Sequence, residues 1–453
     1  MTPQEALVAI ARERDIDALV AQPEMLRGHL MDYCRGGNRR EFNLLVYACH
    51  SRVPQVLRAP SSSVLQADRI ADLARRMVDD HDTSLEGARW AVGTWALALG
   101  VPTAPVTDLR PSDPVRPPVP KRVPDPAPVA DAGRPALVVD AGAVWGAYAT
   151  IGEAIRASVV PGSLITVKPG IYREALVIDR VVEIVGEGDR ARIVVEATDT
   201  DALTVTADRA VVRNLTVRAV GSGATSGAVR IQRGRVVIEG YDLTSAIGAV
   251  VYITGRESNP VVRDCQIRNG KQVGVIVWDQ GHGTIEQCVI SGNRGYGVVI
   301  RTGGNPTVRN CEIRENRLGG VLVDQGLGAI EECVIAGNAL AGVEIKTCGN
   351  PTVRDCQIRD GRSAGVLVYE EGQGMIDECV ISGNAYAGVS IRTGGNPTVR
   401  DCKIRDGKQS GIYVGEQGQG TFTGNTLAGN AGGAWDIGST TGRVTRTGNR
   451  PNV

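Results

Sequence analysis

Seven cysteines recur through the second half of the chain with a constant step: Cys265, Cys288, Cys311, Cys333, Cys356, Cys379 and Cys402 are separated by 23, 23, 22, 23, 23 and 23 residues. A period held for so long belongs to a repeat architecture, in which each unit lies on the one before it and presents equivalent residues at equivalent places. Stacked parallel strands put equivalent Cβ atoms about 4.8 Å apart, beyond the roughly 3.5–4.5 Å that a disulfide prefers. The ladder is therefore read as buried free thiols acting as small hydrophobes.

One coil can be assigned residue by residue. Val275 and Val277 point inward in a first strand, Ile285 in a second, and Cys288 and Ile290 in a third, before Asn293 turns the chain. That turn position holds Gly270, Asn293, Asn316, Asn338, Gly361, Asn384, Gly407 and Asn430. Only Gly and Asn occur there, which predicts a left-handed backbone at this position, with the asparagines serving geometry and not a ligand. Asn-Pro recurs at 259, 305, 350 and 396, so the duplicated unit is a pair of coils. The Val/Ile-rich composition, with two Phe and 57 Gly, suits a narrow core with many turns. These features predict a mainly β fold, a right-handed parallel β-helix of about 22–23 residues per coil.

The segment Pro161-Gly162-Ser163-Leu164-Ile165-Thr166-Val167-Lys168-Pro169-Gly170-Ile171-Tyr172-Arg173-Glu174 resembles the opening coils of the pectate-lyase-like and pectin-methylesterase-like right-handed β-helices. Later repeats, such as Gly349-Asn350-Pro351-Thr352-Val353-Arg354-Asp355-Cys356-Gln357-Ile358, are similar to the NosD-like, carbohydrate-binding-and-sugar-hydrolase type of repeat. The resemblance covers about residues 136 to 440 and implies the fold; carbohydrate as a partner is what it suggests for function.

Three regions are predicted. Residues 1–100 form a small all-α domain that opens on the capping sequence Thr2-Pro3-Gln4-Glu5. Its Cys34–Leu45 and Ala88–Gly100 segments are similar to a helical module of bacterial multidomain signalling proteins, which implies an adaptor docking other proteins, with Arg35, Arg39 and Arg40 as a basic contact surface. Residues 101–135 carry 11 of the 22 prolines and read as an extended spacer. Residues 136–453 form the β-helix, its open first coil covered by a helix at about 150–160 that begins with the capping box Thr150-Ile151-Gly152-Glu153.

Charge balances at 50 basic and 50 acidic residues, so nothing draws the chain to nucleic acid or to an anionic membrane. The N-terminal segment MTPQEALVAIARERD lacks the apolar run of a signal peptide or membrane span, and a cytoplasmic location is expected. No Cys/His spacing suggests zinc, and no Gly-rich phosphate loop is present; no cofactor or metal is expected.

The first strand of each coil carries outward residues Ile276, Val299, Leu322, Glu344, Leu367, Ser390 and Tyr413. Five of the seven are apolar, which predicts a binding stripe of Ile276, Val299, Leu322, Leu367 and Tyr413, completed by Trp278 and Tyr369. After these strands Arg301, Lys346 and Arg392 alternate with Asp279, Asp324, Glu370 and Glu416, read as a ladder of exposed ion pairs that sets register. A catalytic set is not evident: His282, with Asp279 and Arg301, is the only constellation on offer, and its Gly-His-Gly lacks the acid motifs that accompany it in polygalacturonases. The function expected from the sequence is accordingly a non-catalytic scaffold or adaptor that binds a protein partner or a second copy through the stripe. The alternatives are a polysaccharide-modifying lyase, hydrolase or epimerase, and a structural assembly protein.

Overall fold

The computed structural model describes residues 2–13, 20, 23–34, 39–51, 53–58, 73–77, 85–101, 136–142, 146–222 and 225–451. The chain divides into two compact units, Met1–Val119 and Pro120–Val453. The predicted proline-rich spacer and the side chains of Arg35, Arg39 and Arg40 lie outside the described residues.

The first unit is helical: α1 (Pro3–Glu13), α2 (Pro23–Cys34), α3 (Arg39–His50), α4 (Val53–Arg58) and α5 (Leu85–Ala98). Thr2 caps α1 as its sequence requires, its Oγ1 accepting from Glu5 N at 3.2 Å while Thr2 N donates to the Glu5 carboxylate at 2.9 Å. Trp95 is fully buried and donates its indole N–H to Leu45 O at 2.9 Å, tying α5 to α3. Gly100, at φ 69°, closes α5 in the left-handed conformation.

The second unit is the parallel β-helix. Sheet A has 14 strands, running from Ala136–Val139 to Val444–Thr447; sheet B has 12, from Gly170–Arg173 to Thr426–Ala428; sheet C has 12, from Leu176–Ile178 to Trp435–Ile437. Each coil contributes one strand to each sheet, and every pairing is parallel to the equivalent strand of the next coil, as at Val275↔Val298, Thr284↔Thr307 and Val289↔Glu312. The helix α6 (Ile151–Ala157) covers the first coil with the predicted capping box, and the Glu174 carboxylate accepts from Ile151 N and Gly152 N at 2.8 and 2.9 Å.

The assigned inward residues are core: Val275, Val277, Ile285 and Ile290 are fully buried, and the ladder cysteines are at most 2% exposed. Each ladder thiol donates to the carbonyl two residues earlier and to one on the preceding coil, as Cys288 does to Glu286 O (3.2 Å) and Val262 O (3.5 Å). Tyr241 holds the ladder position before Cys265, also fully buried, and its hydroxyl has no hydrogen-bond partner. An orphaned buried hydroxyl costs about 1–3 kcal/mol, so Tyr241→Phe is expected to leave stability unchanged or raise it. A melting temperature clearly below that of the unmodified chain would contradict this.

The turn asparagines depart from expectation. The left-handed residue is one position earlier, at Asn269, Gly292, Glu315, Gly337, Asp360 and Gly383, with φ between 55° and 65°. The following asparagine instead turns into the core: Asn293, Asn316, Asn338 and Asn384 are at most 1% exposed. Asn316 Oδ1 accepts from Asn293 N and Nδ2 at 3.1 and 2.9 Å, and Asn316 Nδ2 donates to Asn338 Oδ1 at 3.0 Å. The side-chain amide is there because it satisfies the buried turn of the preceding coil, for glycine and asparagine positions alike: Gly270 N donates to Asn293 Oδ1 at 2.8 Å, as Asn293 N does to Asn316 Oδ1.

A row of alternating charge crosses the outer surface of sheet A. Arg213, Glu239, Arg263, Glu286, Arg309, Glu331, Arg354, Asp377 and Arg400 occupy equivalent positions on successive coils. Arg213 and Arg263 reach Glu239 at 2.9 and 3.2 Å, and Arg400 reaches Asp377 at 2.6 Å. At Glu239, burial pushes the carboxyl up, but hydrogen bonds and charge from Arg263 and Arg213 outweigh it and hold the group below its ordinary 4.5. A carboxyl depressed by folding contributes stability that is present above the unfolded value and lost as pH falls through the folded one. Glu239→Gln is therefore expected to lower the melting temperature at pH 7 and to converge with the unmodified chain in acid, as pH falls through the lowered pKa of Glu239. A difference that persisted undiminished in acid would rule out the ionic account.

Candidate functional site

The outward face of sheet C was expected to be an exposed apolar stripe, and the structure corrects this. Val299 and Leu322 are 3% and 5% exposed, Ser390 is 4%, and Ile276, Leu367 and Tyr413 are half-buried. The covering comes from the chain itself. Tyr296 leaves the turn before its strand and lies along the solenoid axis over the next coil; a Cβ on Gly319 would stand 2.8 Å from the Tyr296 ring, so only glycine fits beneath it. The Tyr296 hydroxyl then reaches two coils on and donates to Glu344 Oε2 at 2.8 Å.

Glu344 is the one carboxylate in the central outward row of sheet C between Tyr252 and Tyr413. Only 6% of it is exposed. From the coil beyond, the Tyr369 hydroxyl donates to its other oxygen, Oε1, at 2.6 Å. Two phenols from different coils thus converge on one carboxylate, and Lys346 Nζ stands 5.8 Å from the centre of the Tyr369 ring. Burial pushes both phenols above their ordinary 10; the Glu344 charge adds to this at Tyr296, and the hydrogen bond to Glu344 adds to it at Tyr369. Both hydroxyls are protonated at neutral pH. The cluster is a carboxylate able to accept a proton, reached through half-exposed phenols able to pass one on.

The sequence-derived catalytic candidates fall on one turn between a sheet C and a sheet A strand and on the next coil. His282 opens a strand of sheet A, Asp279 sits in the turn after a sheet C strand at φ 53°, and Arg301 ends the next sheet C strand. Arg301 is engaged by Asp324, with Nη2 and Nε at 3.0 and 3.2 Å from Oδ2. The predicted charge ladder is present at that edge, with Lys346–Glu370 at 3.7 Å and Arg392–Glu416 at 3.9 Å. Among the described residues, no group of three His, Cys, Asp or Glu side chains converges as a metal site. Glu344 and Tyr296 were overlooked because the row was weighed by its apolar majority; the visible signal was the single acid interrupting it.

A protein family described as "Right handed beta helix region" matches residues 201–329 and 319–450, together more than half of the chain. The chain belongs to this family. No curated protein matches this β-helix protein by sequence. Among solved structures, it is similar to the A-module of mannuronan C-5 epimerase AlgE4 of Azotobacter vinelandii, at 20% identity and a TM-score of 0.52, over 65% of this chain and 93% of that one. The AlgE6 A-module from the same organism is similar at 21% identity and a TM-score of 0.50, over 67% of this chain and 94% of that one. At such identities the likeness carries the fold. The expected non-catalytic scaffold is corrected on these findings: Val299 and Leu322 at the centre of the stripe are buried within the chain, and the two similar structures are mannuronan C-5 epimerase A-modules.

Proposed function

We propose that this β-helix protein acts on an acidic polysaccharide lying along the outward face of sheet C, with proton transfer at the sugar carbon that bears the carboxylate. The observation that carries the reading is the Tyr296–Glu344–Tyr369 cluster, a buried carboxylate under two protonated phenols on a mostly apolar row. The names of the epimerases that share the fold support the substrate class.

Tyr369, half-exposed, is the group that touches the sugar. As the C–H bond breaks, the phenol oxygen takes that proton and passes its own to Glu344, while the electron pair spreads into the sugar carboxylate. The concerted relay avoids a free phenolate, which burial and the neighbouring charge make costly. Lys346, beside the Tyr369 ring, offsets the charge that develops on the sugar carboxylate. Reversal returns a proton from Glu344 through Tyr369 to the same carbon, so the outcome that these residues supply is exchange of the C-5 proton.

The test is to incubate the full chain with polymannuronate in deuterated water and to follow C-5 deuteration and new signals by NMR, with affinity electrophoresis on the same polymer. Deuterium uptake is the expected result. A chain that neither exchanges the C-5 proton nor is retarded by any acidic polysaccharide would sink the reading.

A further inference from the structure

Beside the central row of sheet C, the residue that ends each strand or directly follows it forms a second row with its own periodicity. Arg301, Asp324 and Lys346 are paired in register on successive coils. The neighbouring registers, Val277↔Ile300, Ile345↔Val368 and Val368↔Ile391, extend the row to Trp278 on one side and to Tyr369 and Arg392 on the other. Trp278, Arg301 and Arg392 are 41%, 48% and 47% exposed. Coils advance by about 4.8 Å, so the cations Arg301, Lys346 and Arg392 recur every second coil, about 9.6 Å apart. This is the surface trace of the two-coil duplication seen as Asn-Pro at 259, 305, 350 and 396.

We propose that this row reads an extended, two-fold polyuronate in step with the solenoid, one sugar to each coil, with alternate carboxylates falling on Arg301, Lys346 and Arg392. The inference rests on the reading of sheet C as the polysaccharide face and adds the conformation and register of the chain it takes. A pyranose lengthens an extended polymer by about as much as one coil lengthens the solenoid, so sugars and coils stay in phase. In a two-fold chain successive carboxylates point to opposite sides, and every second one faces the row. Of the three coils without a cation, those of Trp278 and Tyr369 offer ring faces to the sugars' C–H surfaces, and that of Asp324 holds Arg301. The acidic neighbours do not block the row. They hold the cations in place, at 3.0 Å for Arg301–Asp324, 3.7 Å for Lys346–Glu370 and 3.9 Å for Arg392–Glu416, and a guanidinium with five donors or an ammonium with three has N–H groups left to donate to a further carboxylate. A polymer with a buckled backbone falls out of phase within a few coils and loses these contacts.

The experiment is calorimetric titration of the full chain with oligomannuronates from two sugars to eight, and with matched oligomers of the C-5 epimer, whose axial linkages buckle the chain. Affinity for the extended series is expected to rise in steps at every second sugar, roughly 2- to 5-fold per step, the range of an exposed ion pair. Arg392→Glu is expected to remove the last step and shift the plateau to shorter oligomers, while Lys403→Glu on sheet B leaves the series unchanged. A smooth rise with length, equal steps for the buckled series, or binding indifferent to both Arg301→Glu and Arg392→Glu overturns the register and leaves the polysaccharide face standing. Failure to bind any oligouronate removes that face and the register with it.

Discussion

Replacing Glu344 by Gln is expected to lower C-5 exchange on polymannuronate by about 10²–10⁴-fold, the usual worth of a positioned acid–base group, with little change in binding. The amide keeps the size of the carboxylate and still accepts a phenol hydrogen bond, so the fold of sheet C is retained. What it loses is the capacity to take the proton relayed by Tyr369. Tyr369→Phe is expected to act comparably, because it removes the hydroxyl that bridges substrate and Glu344 at 2.6 Å. Tyr296→Phe removes only the second donor, at 2.8 Å from the far oxygen, and its effect is expected to be smaller. The order matters as much as the size. Equal losses from all three, accompanied by equal drops in melting temperature, would mean that the cluster is a packing device and that the chemistry lies elsewhere.

The largest effect on stability is expected from Asn316→Leu. Asn316 is 1% exposed and in the middle of the asparagine stack, accepting from the backbone and side chain of Asn293 and donating to Asn338 Oδ1 and, at 3.4 Å, to Ile290 O. Leucine keeps the branching of the side chain, is bulkier and supplies no polar atom. Asn293 N–H and Asn293 Nδ2 both lose an acceptor inside the core, each at about 1–3 kcal/mol, for a total of about 2–6 kcal/mol. A stack of coils couples each unit only to its neighbours, so the loss should open the central coils first, seen as faster amide hydrogen exchange between residues 290 and 340 than at Cys379 or Cys402. A chain that loses less than about 1 kcal/mol would show that the stack is incidental.

Repetition made most of the fold legible. The cysteine step, the inward Val and Ile, the capping box of α6 and the two-coil Asn-Pro period each state a local demand, and stacking repeats that demand until it cannot be missed. The turn was misread by one residue because Gly and Asn serve two purposes. They tolerate the left-handed backbone, as at Asn269, and as a side-chain amide Asn also completes the hydrogen bonds of a buried turn, as at Asn293. Spacing does not separate the two uses. The half-buried Arg–acid row on sheet A was equally open to reading, since Arg309, Arg354 and Arg400 alternate with Glu286, Glu331 and Asp377 at the same step as the cysteines.

The sequence by itself determined what is periodic: coil length, the inward residues and the two-coil unit, because a solenoid repeats in space what the chain repeats along its length. Only the tertiary structure decided what crosses coils. Tyr296 lies 48 residues before Glu344 and Tyr369 lies 25 after it, and they meet because Gly319 leaves room for a ring to lie along the axis. Val299 and Leu322, outward in the same row, are buried there, which no spacing in the sequence announces. Direction of a side chain along the stack depends on what the neighbouring coil leaves empty, and that is a property of packed coils and not of any one repeat.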